Sequence, residues 1–248
     1  MLFPDAHIHV ADIEGWTPVR NSCVCSCAHS VQEFFLSARA KQKHPENIVC
    51  AYGIHPQNPD MKELSFLEGL LKEDKICAVG EMGFDLFTKE YALKLKAQND
   101  VWISQLELAL EFNKPIVVHC RKALDKLFPF CTKLSKLPAV VFHSFSGSFV
   151  EAQSFLKRRV NAYFSFGKQL LNGNKIAAMC AGNLPLERIL LETDAPFQTL
   201  KGQFATPPED IIFVYKAFAQ LRKESLEHVC KNIAQNFDLV FKGHFLPK

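Results

Sequence analysis

Histidines and carboxylates recur along this chain at places where side chains do chemistry: His7 and His9 two residues apart, then Glu81, His119, His143 and Asp194. Imidazole nitrogens and carboxylate oxygens are the mixed donors of sites for one or two divalent ions, with imidazole favouring transition metals. Taken singly, each residue has an ordinary reading. A strand histidine is usually packed or hydrogen-bonded, and a glutamate closing a strand is usually a cap or a surface group. Their shared position is what matters. Each stands at the end of a short apolar run, and burying six titratable groups together without a cation would be costly. One or two divalent ions are therefore expected, with Zn, Mn, Ni, Co and Mg all chemically admissible.

The runs that must position these groups alternate with amphipathic stretches. Candidate strands are Phe3–His9, Val19–Ser26, Ile48–His55, Ile76–Gly83, Pro115–Cys120, Ala139–Ser144, Ala162–Gly167 and Ile189–Asp194, bounded by Gly, Pro or polar residues. Helical patterns cover Val31–Lys43, Lys62–Lys72, Tyr91–Phe112, Ala123–Lys136, Phe149–Arg159, Lys175–Ala181, Pro208–Arg222 and Leu226–Phe241. Eight strands separated mainly by helices predict an α/β protein, a (β/α)8 TIM barrel. An open doubly wound sheet is its rival. The first gap, Val10–Pro18, is too short for a normal helix. No repeat or linker interrupts the pattern, so residues 1–248 read as one domain.

Strand alternation predicts which side chains point inward. Cys77 and Val79 share a face with Glu81, Val117 with His119, Val141 with His143, and Leu190 and Glu192 with Asp194. In a barrel the C-terminal strand ends meet at one mouth, where barrel active sites lie. Four imidazoles and two carboxylates then converge there.

Composition narrows the classes. Hydrophobic residues make up 48% of 248, enough for a substantial core, and the net charge of +3 is too small for a histone-like binder. The longest apolar runs fall well short of the ~18 residues of a membrane span. The N-terminal Met-Leu-Phe-Pro-Asp5-Ala-His7 lacks a basic region, so no signal peptide is expected. Nine cysteines are an odd number, which predicts reduced thiols and a cytoplasmic location. Cys23, Cys25 and Cys27 read as small core filler on a strand rather than as metal ligands. No membrane partner and no obligate protein partner is expected.

Six ordered segments carry a resemblance: Asp5-Ala-His7-Ile-His9, Gly53-Ile-His55-Pro56, Val79-Gly80-Glu81-Met-Gly83-Phe-Asp85, Val118-His119-Cys-Arg121, Phe142-His143-Ser-Phe-Ser-Gly147 and Glu192-Thr-Asp194-Ala-Pro196. Together they resemble the TatD family of metal-dependent hydrolases, within the amidohydrolase superfamily. The match runs in order from about residue 4 to 197, and Asn236-Phe237 resembles the family's closing helix. The resemblance implies a barrel, a divalent-metal site and phosphodiester hydrolysis on DNA, with 3'-5' exonuclease action as one form. It implies His7, His9 and Asp194 as ligands of one metal, His119 and His143 as ligands of a second, and Glu81 as the bridge. Many superfamily members carry a carboxylated lysine at a bridging position, where this chain offers Glu81. One departure stands out. The family's Arg-Asn-Glu-Pro-like stretch is replaced by Phe197–Pro208, which contains neither arginine nor asparagine.

On this reading Asp194 and Glu81 are the catalytic carboxylates, with Asp194 as general base. Arg121, two residues after His119, would clamp a phosphate oxygen. His55 would meet the phosphate. Ser144, Ser146 and Gly147 precede a helix and would cradle phosphate at its positive end or simply cap it. Asp5 would orient His7 and Glu192 would be buried and hydrogen-bonded, while Phe84, Phe87, Phe145, Phe149 and Phe197 would stack a frayed base or pack. A C–N hydrolase acting on a cyclic amide or amine uses the same donor set and is the main alternative. A metal-holding scaffold is a second.

Overall fold

In the computed structural model of the chain, which describes residues 1–241, eight parallel strands follow one another in sequence order around a single sheet. They are β1 (Asp5–Ile8), β2 (Val24–Ala28), β3 (Ile48–Tyr52), β4 (Ala78–Asp85), β5 (Ile116–Arg121), β6 (Val140–Phe142), β7 (Ala162–Phe166) and β8 (Ile189–Leu191). The segment after β8 closes the ring on β1: Asp194 N donates to His7 O at 2.9 Å and His9 N to Ala195 O at 2.8 Å. This is the barrel expected from the alternation, and the open sheet is excluded.

Helices α1 (Val31–Lys43), α2 (Leu64–Lys72), α3 (Lys89–Leu93), α4 (Leu95–Glu111), α5 (Cys131–Leu134), α6 (Phe149–Lys157), α7 (Lys175–Asn183), α8 (Ile211–Arg222) and α9 (Leu226–Phe241) fill the connections. The outward strand residues, among them Tyr52, Val79, Met82, Val118, Phe142 and Phe164, pack under Trp102, Phe155 and Phe218 of the helices. The inward ones, Cys25, Cys27, Val49, Ala51, Val117, Val141 and Leu190, form a second cluster, joined by Phe237, Val240 and Phe241 of α9. These α9 residues lie beside the strand starts, where Val240 and Phe241 flank Val49, Cys77 and Pro115. One end of the barrel is thereby sealed with apolar side chains, and the polar groups collect at the other.

Several boundaries differ from expectation for identifiable reasons. The second strand begins at Val24 rather than Val19, because Asn21 turns the chain with φ of 57°. The stretch Ala123–Lys136 is not one helix but two short 3-10 turns and α5, since Pro129 sits in its middle without an N–H to donate. The long helix expected over Tyr91–Phe112 breaks at Lys94 into α3 and α4. At that break the Gln98 amide donates to Tyr91 O while also holding the backbone of Asp85 at the end of β4. The short first gap holds only a 3-10 turn, Val10–Asp12. All nine cysteines are unpaired. Among the described residues no helix is long and apolar enough to cross a membrane.

Two alternation arguments fail. Val79 pairs with Ile116 and Met82 with Val118, so β4 carries one residue more than β5 over this stretch. The bulge sends Val79 outward into the helix layer while Glu81 points in, so the two do not share a face. A similar shift lies between Asp5 and Ile8 of β1. As a result the Asp5 carboxylate accepts from Thr193 N, Thr193 Oγ1 and His7 N, and fastens β1 to the closing segment instead of orienting the His7 ring.

Candidate metal centre

The barrel mouth opens into a basin of about 520 Å³ whose lining includes His9, His55, Glu81, His119, His143 and Asp194. His7 lies beneath it, fully buried. Glu81 divides the donors into two groups. Its Oε1 lies 3.4 Å from His7 Nε2 and 3.5 Å from His9 Nε2, and Asp194 Oδ1 stands 3.2 Å from the same His9 nitrogen. Its Oε2 lies 2.9 Å from His143 Nε2 and 3.2 Å from His119 Nδ1. All six residues predicted from the strand ends are brought together.

The imidazoles also have partners behind them. His119 Nε2 is 3.0 Å from Asp85 Oδ2, His7 Nδ1 is 3.3 Å from Cys27 Sγ, and His143 Nδ1 is 3.6 Å from Glu192 Oε1. Each of these rings therefore turns one nitrogen to the basin and the other to a neighbour, the arrangement that fixes the tautomer of a metal-binding imidazole. His55 differs. Gln57 N donates to its Nδ1, so the neutral ring carries its proton on Nε2, the atom nearest the basin. It offers a hydrogen-bond donor there rather than a lone pair, although it lies 3.8 Å from Glu81 Oε2.

The donor set fits a cation. His7 and His9 face each other through Nε2 at 3.2 Å, and His119 Nδ1 has His143 Nε2 at 3.3 Å. Lone pairs crowded in this way need a positive charge between them. In the protein alone, protons supply it. Burial opposes charging His7, but Glu81 and Asp194 overcome that and raise its pKa to about 10. Burial and His7 likewise oppose charging His143, yet Glu81 and Glu192 bring it to about 9. Burial alone would raise Glu81, but His7 and His143 hold it well below the usual carboxylate range. Asp194 is lowered against its own burial by the His9 hydrogen bond and the charge on His7. His55 is driven well below the ordinary imidazole value by burial and by His119, and stays neutral.

Around the basin, Arg121 is partly exposed at the rim, its Nη1 3.9 Å from Asp85 Oδ2. Ser146 is exposed on the same rim. Ser144 is not a helix cap: its N–H donates to Glu192 Oε1 at 2.7 Å, while Ser148 and Glu151 form the capping box of α6. Of the phenylalanines singled out earlier, Phe84 and Phe145 are buried in the helix layer, whereas Phe87 and Phe197 are half exposed. Gln198 was not anticipated. Its Nε2 donates to Asp194 Oδ2 at 2.7 Å and to Ser144 Oγ at 2.5 Å. Asp85 likewise has no role in the sequence reading, and Cys27 reads there only as core filler, because their contacts arise only when neighbouring strands pair.

A family model described as TatD related DNase matches residues 5–242. An uncharacterized metal-dependent hydrolase of Haemophilus influenzae is 34% identical over 213 residues, covering 79% of this chain and 78% of that protein. The 3'-5' ssDNA/RNA exonuclease TatD of Edwardsiella piscicida is 31% identical over 163 residues, covering 63% and 61%. Among solved structures, YjjV, a TatD homolog from Escherichia coli, superposes with a TM-score of 0.83 over 99% of this chain and 98% of its own, at 24% identity. That likeness speaks for the fold.

Proposed function

The chain belongs to the TatD-related DNase family, and we propose that it is a two-metal phosphodiesterase that removes nucleotides from DNA, with residues 1–248 forming one catalytic domain in the cytoplasm. The observation that carries this reading is Glu81, which presents one oxygen to each of two donor groups. His7, His9 and Asp194 would hold one cation and His119 and His143 the other, with Glu81 between. The imidazole content favours Zn, Mn, Ni or Co over Mg.

Two such cations supply Lewis acidity and charge neutralisation for an anionic phosphodiester. The chain's own residues do the rest. Asp194, kept ionised by the histidines beside it, accepts a proton at its carboxylate as water attacks phosphorus, while the P–O bond to the leaving sugar oxygen breaks and that oxygen takes a proton from solvent. His55 donates Nε2–H towards a phosphate oxygen, and its low basicity keeps it from adding a charge that would repel the cations. Arg121 grips a non-bridging oxygen with its planar fork, and Ser146 adds a hydroxyl beside it.

The test is metal-reconstituted protein incubated with end-labelled single-stranded, duplex and abasic DNA, its products sized, beside a panel of cyclic amides. Stepwise loss of single nucleotides is expected. Intact DNA with a hydrolysed amide would transfer the same centre to C–N chemistry.

A further inference from the structure

A second cavity of about 550 Å³ adjoins the basin and shares Arg121 and Ser146 with it. Its wall continues over Phe87 and Lys122. The guanidinium carbon of Arg121 lies 3.9 Å from the centre of the Phe87 ring, and Lys122 Nζ lies 4.7 Å from the same centre. Consecutive residues of an extended strand point to opposite faces. Lys122, just after β5, instead has φ of 54°, and both side chains reach the same aromatic ring. The ring's quadrupole attracts each cation while the cations repel one another.

Little carboxylate compensates that charge. Among the described residues no Asp or Glu lies within ion-pair distance of Lys122. Asp85, the one acid near Arg121, already receives His119, Gln57 and the Phe87 N–H. The two acids that line the cavity are engaged elsewhere: Glu151 in the capping box with Ser148, and Asp125 with Lys126 at 2.7 Å. A surplus of positive charge is left on a half-exposed aromatic at the junction of two cavities.

We propose that the second cavity is a subsite for the backbone phosphate adjacent to the scissile one, with Lys122 as its cation and Phe87 as the platform that holds Lys122 and Arg121 in place. The assignment rests on the nuclease reading above. A substrate with one phosphodiester occupies the basin alone, whereas one with two reaches both cavities.

The experiment compares dithymidine monophosphate with trithymidine diphosphate in wild type, Lys122→Ala, Lys122→Arg and Phe87→Ala. Loss of one charge-assisted contact corresponds to about tenfold in kcat/KM. The longer substrate should lose that much in Lys122→Ala while the shorter changes less than about twofold on the same scale. Lys122→Arg should restore the wild-type ratio, and Phe87→Ala, which releases Arg121 as well, should weaken cleavage of both substrates and the longer one more. Binding of a non-cleavable phosphorothioate trimer gives a second readout: its salt slope should become shallower by about 0.7 in Lys122→Ala. Equal effects of Lys122→Ala on both substrates, or an unchanged slope, overturn the subsite while leaving the nuclease reading standing. Wild type that cleaves bis(p-nitrophenyl) phosphate but neither nucleotide overturns that reading, and the subsite with it.

Discussion

A Cβ on Gly53 would stand 2.7 Å from the carbonyl oxygen of Glu81, closer than real side chains approach. Gly53, just after β3, thus lets the bulged segment of β4 lie against its neighbour, and that bulge is what turns Glu81 into the basin. Gly53→Ala must push the bulge away. Overpacking of this kind costs about 1–3 kcal/mol, and Glu81 should leave its place between the two donor groups. The expected result is a folded protein with lower Tm and loss of at least part of its bound metal, read by elemental analysis. Full metal content in this variant would mean that Glu81 is not positioned by the close contact.

The same bulge marks how far the sequence could be read. Alternation placed His119 with Val117 and His143 with Val141 correctly, because β5 and β6 run without irregularity. It paired Glu81 with Val79 wrongly, because one inserted residue reverses every later face and leaves no mark in hydropathy. Gly80 and Gly83 were the available signal: a Cβ on Gly83 would fall 2.1 Å from His119 O. The Asp85–His119 and Cys27–His7 contacts are not legible, since each joins residues distant in sequence, while Gln198 reaches Asp194 four residues before it only because both residues turn the chain with positive φ. Asp85 reaches His119 only because the ends of β4 and β5 are paired.

Asp85→Asn tests that contact. The carboxylate orients His119 through Nε2 and is itself held well below the ordinary range, against its burial, by hydrogen bonds from His119 and Gln57. Changing such an outer partner typically costs 10–100-fold in metal affinity or activity. A loss of about that size in metal affinity, with little change in Tm, is the expected outcome. Wild-type affinity would show that His119 is held by packing alone.

Metal uptake should release protons. With pKa values of about 10 and about 9, His7 and His143 are protonated in the metal-free protein at neutral pH. Both are raised above the ordinary imidazole value of 6.5, so their contribution to folding is complete below 6.5 and fades as pH climbs through 9 to 10. The chelator-treated protein should lose Tm across that interval, and metal affinity should rise with pH. Calorimetry in buffers of different ionisation enthalpy should report release of about two protons on full loading. Heats independent of the buffer would contradict the protonated pair.

Arg121→Lys separates substrate grip from the metal centre. An ammonium keeps the charge but loses the bidentate fork. DNA cleavage should fall while bound metal stays at its wild-type level, because Arg121 stands at the rim outside both donor groups. Cleavage at the wild-type rate would remove Arg121 from the phosphate site.

Asp194→Asn bears directly on the chemistry. The amide is nearly isosteric and keeps its one oxygen towards His9, so the fold should survive, although its NH2 then takes the Oδ2 position and can no longer accept from Gln198 Nε2, which keeps Ser144 Oγ as a partner. It carries no negative charge and cannot take a proton from attacking water at neutral pH. General-base assistance is typically worth about 10²–10⁴ in rate, which sets the smallest loss to expect. Metal content measured on the same sample distinguishes that loss from weakened coordination. Glu192→Gln is the comparison: its oxygen can still accept from Ser144 N, and Glu192 lies behind His143 rather than in the basin. It should keep substantial activity. Retained turnover in Asp194→Asn with metal bound would shift the proton-accepting role to Glu81, the other carboxylate within reach of both donor groups.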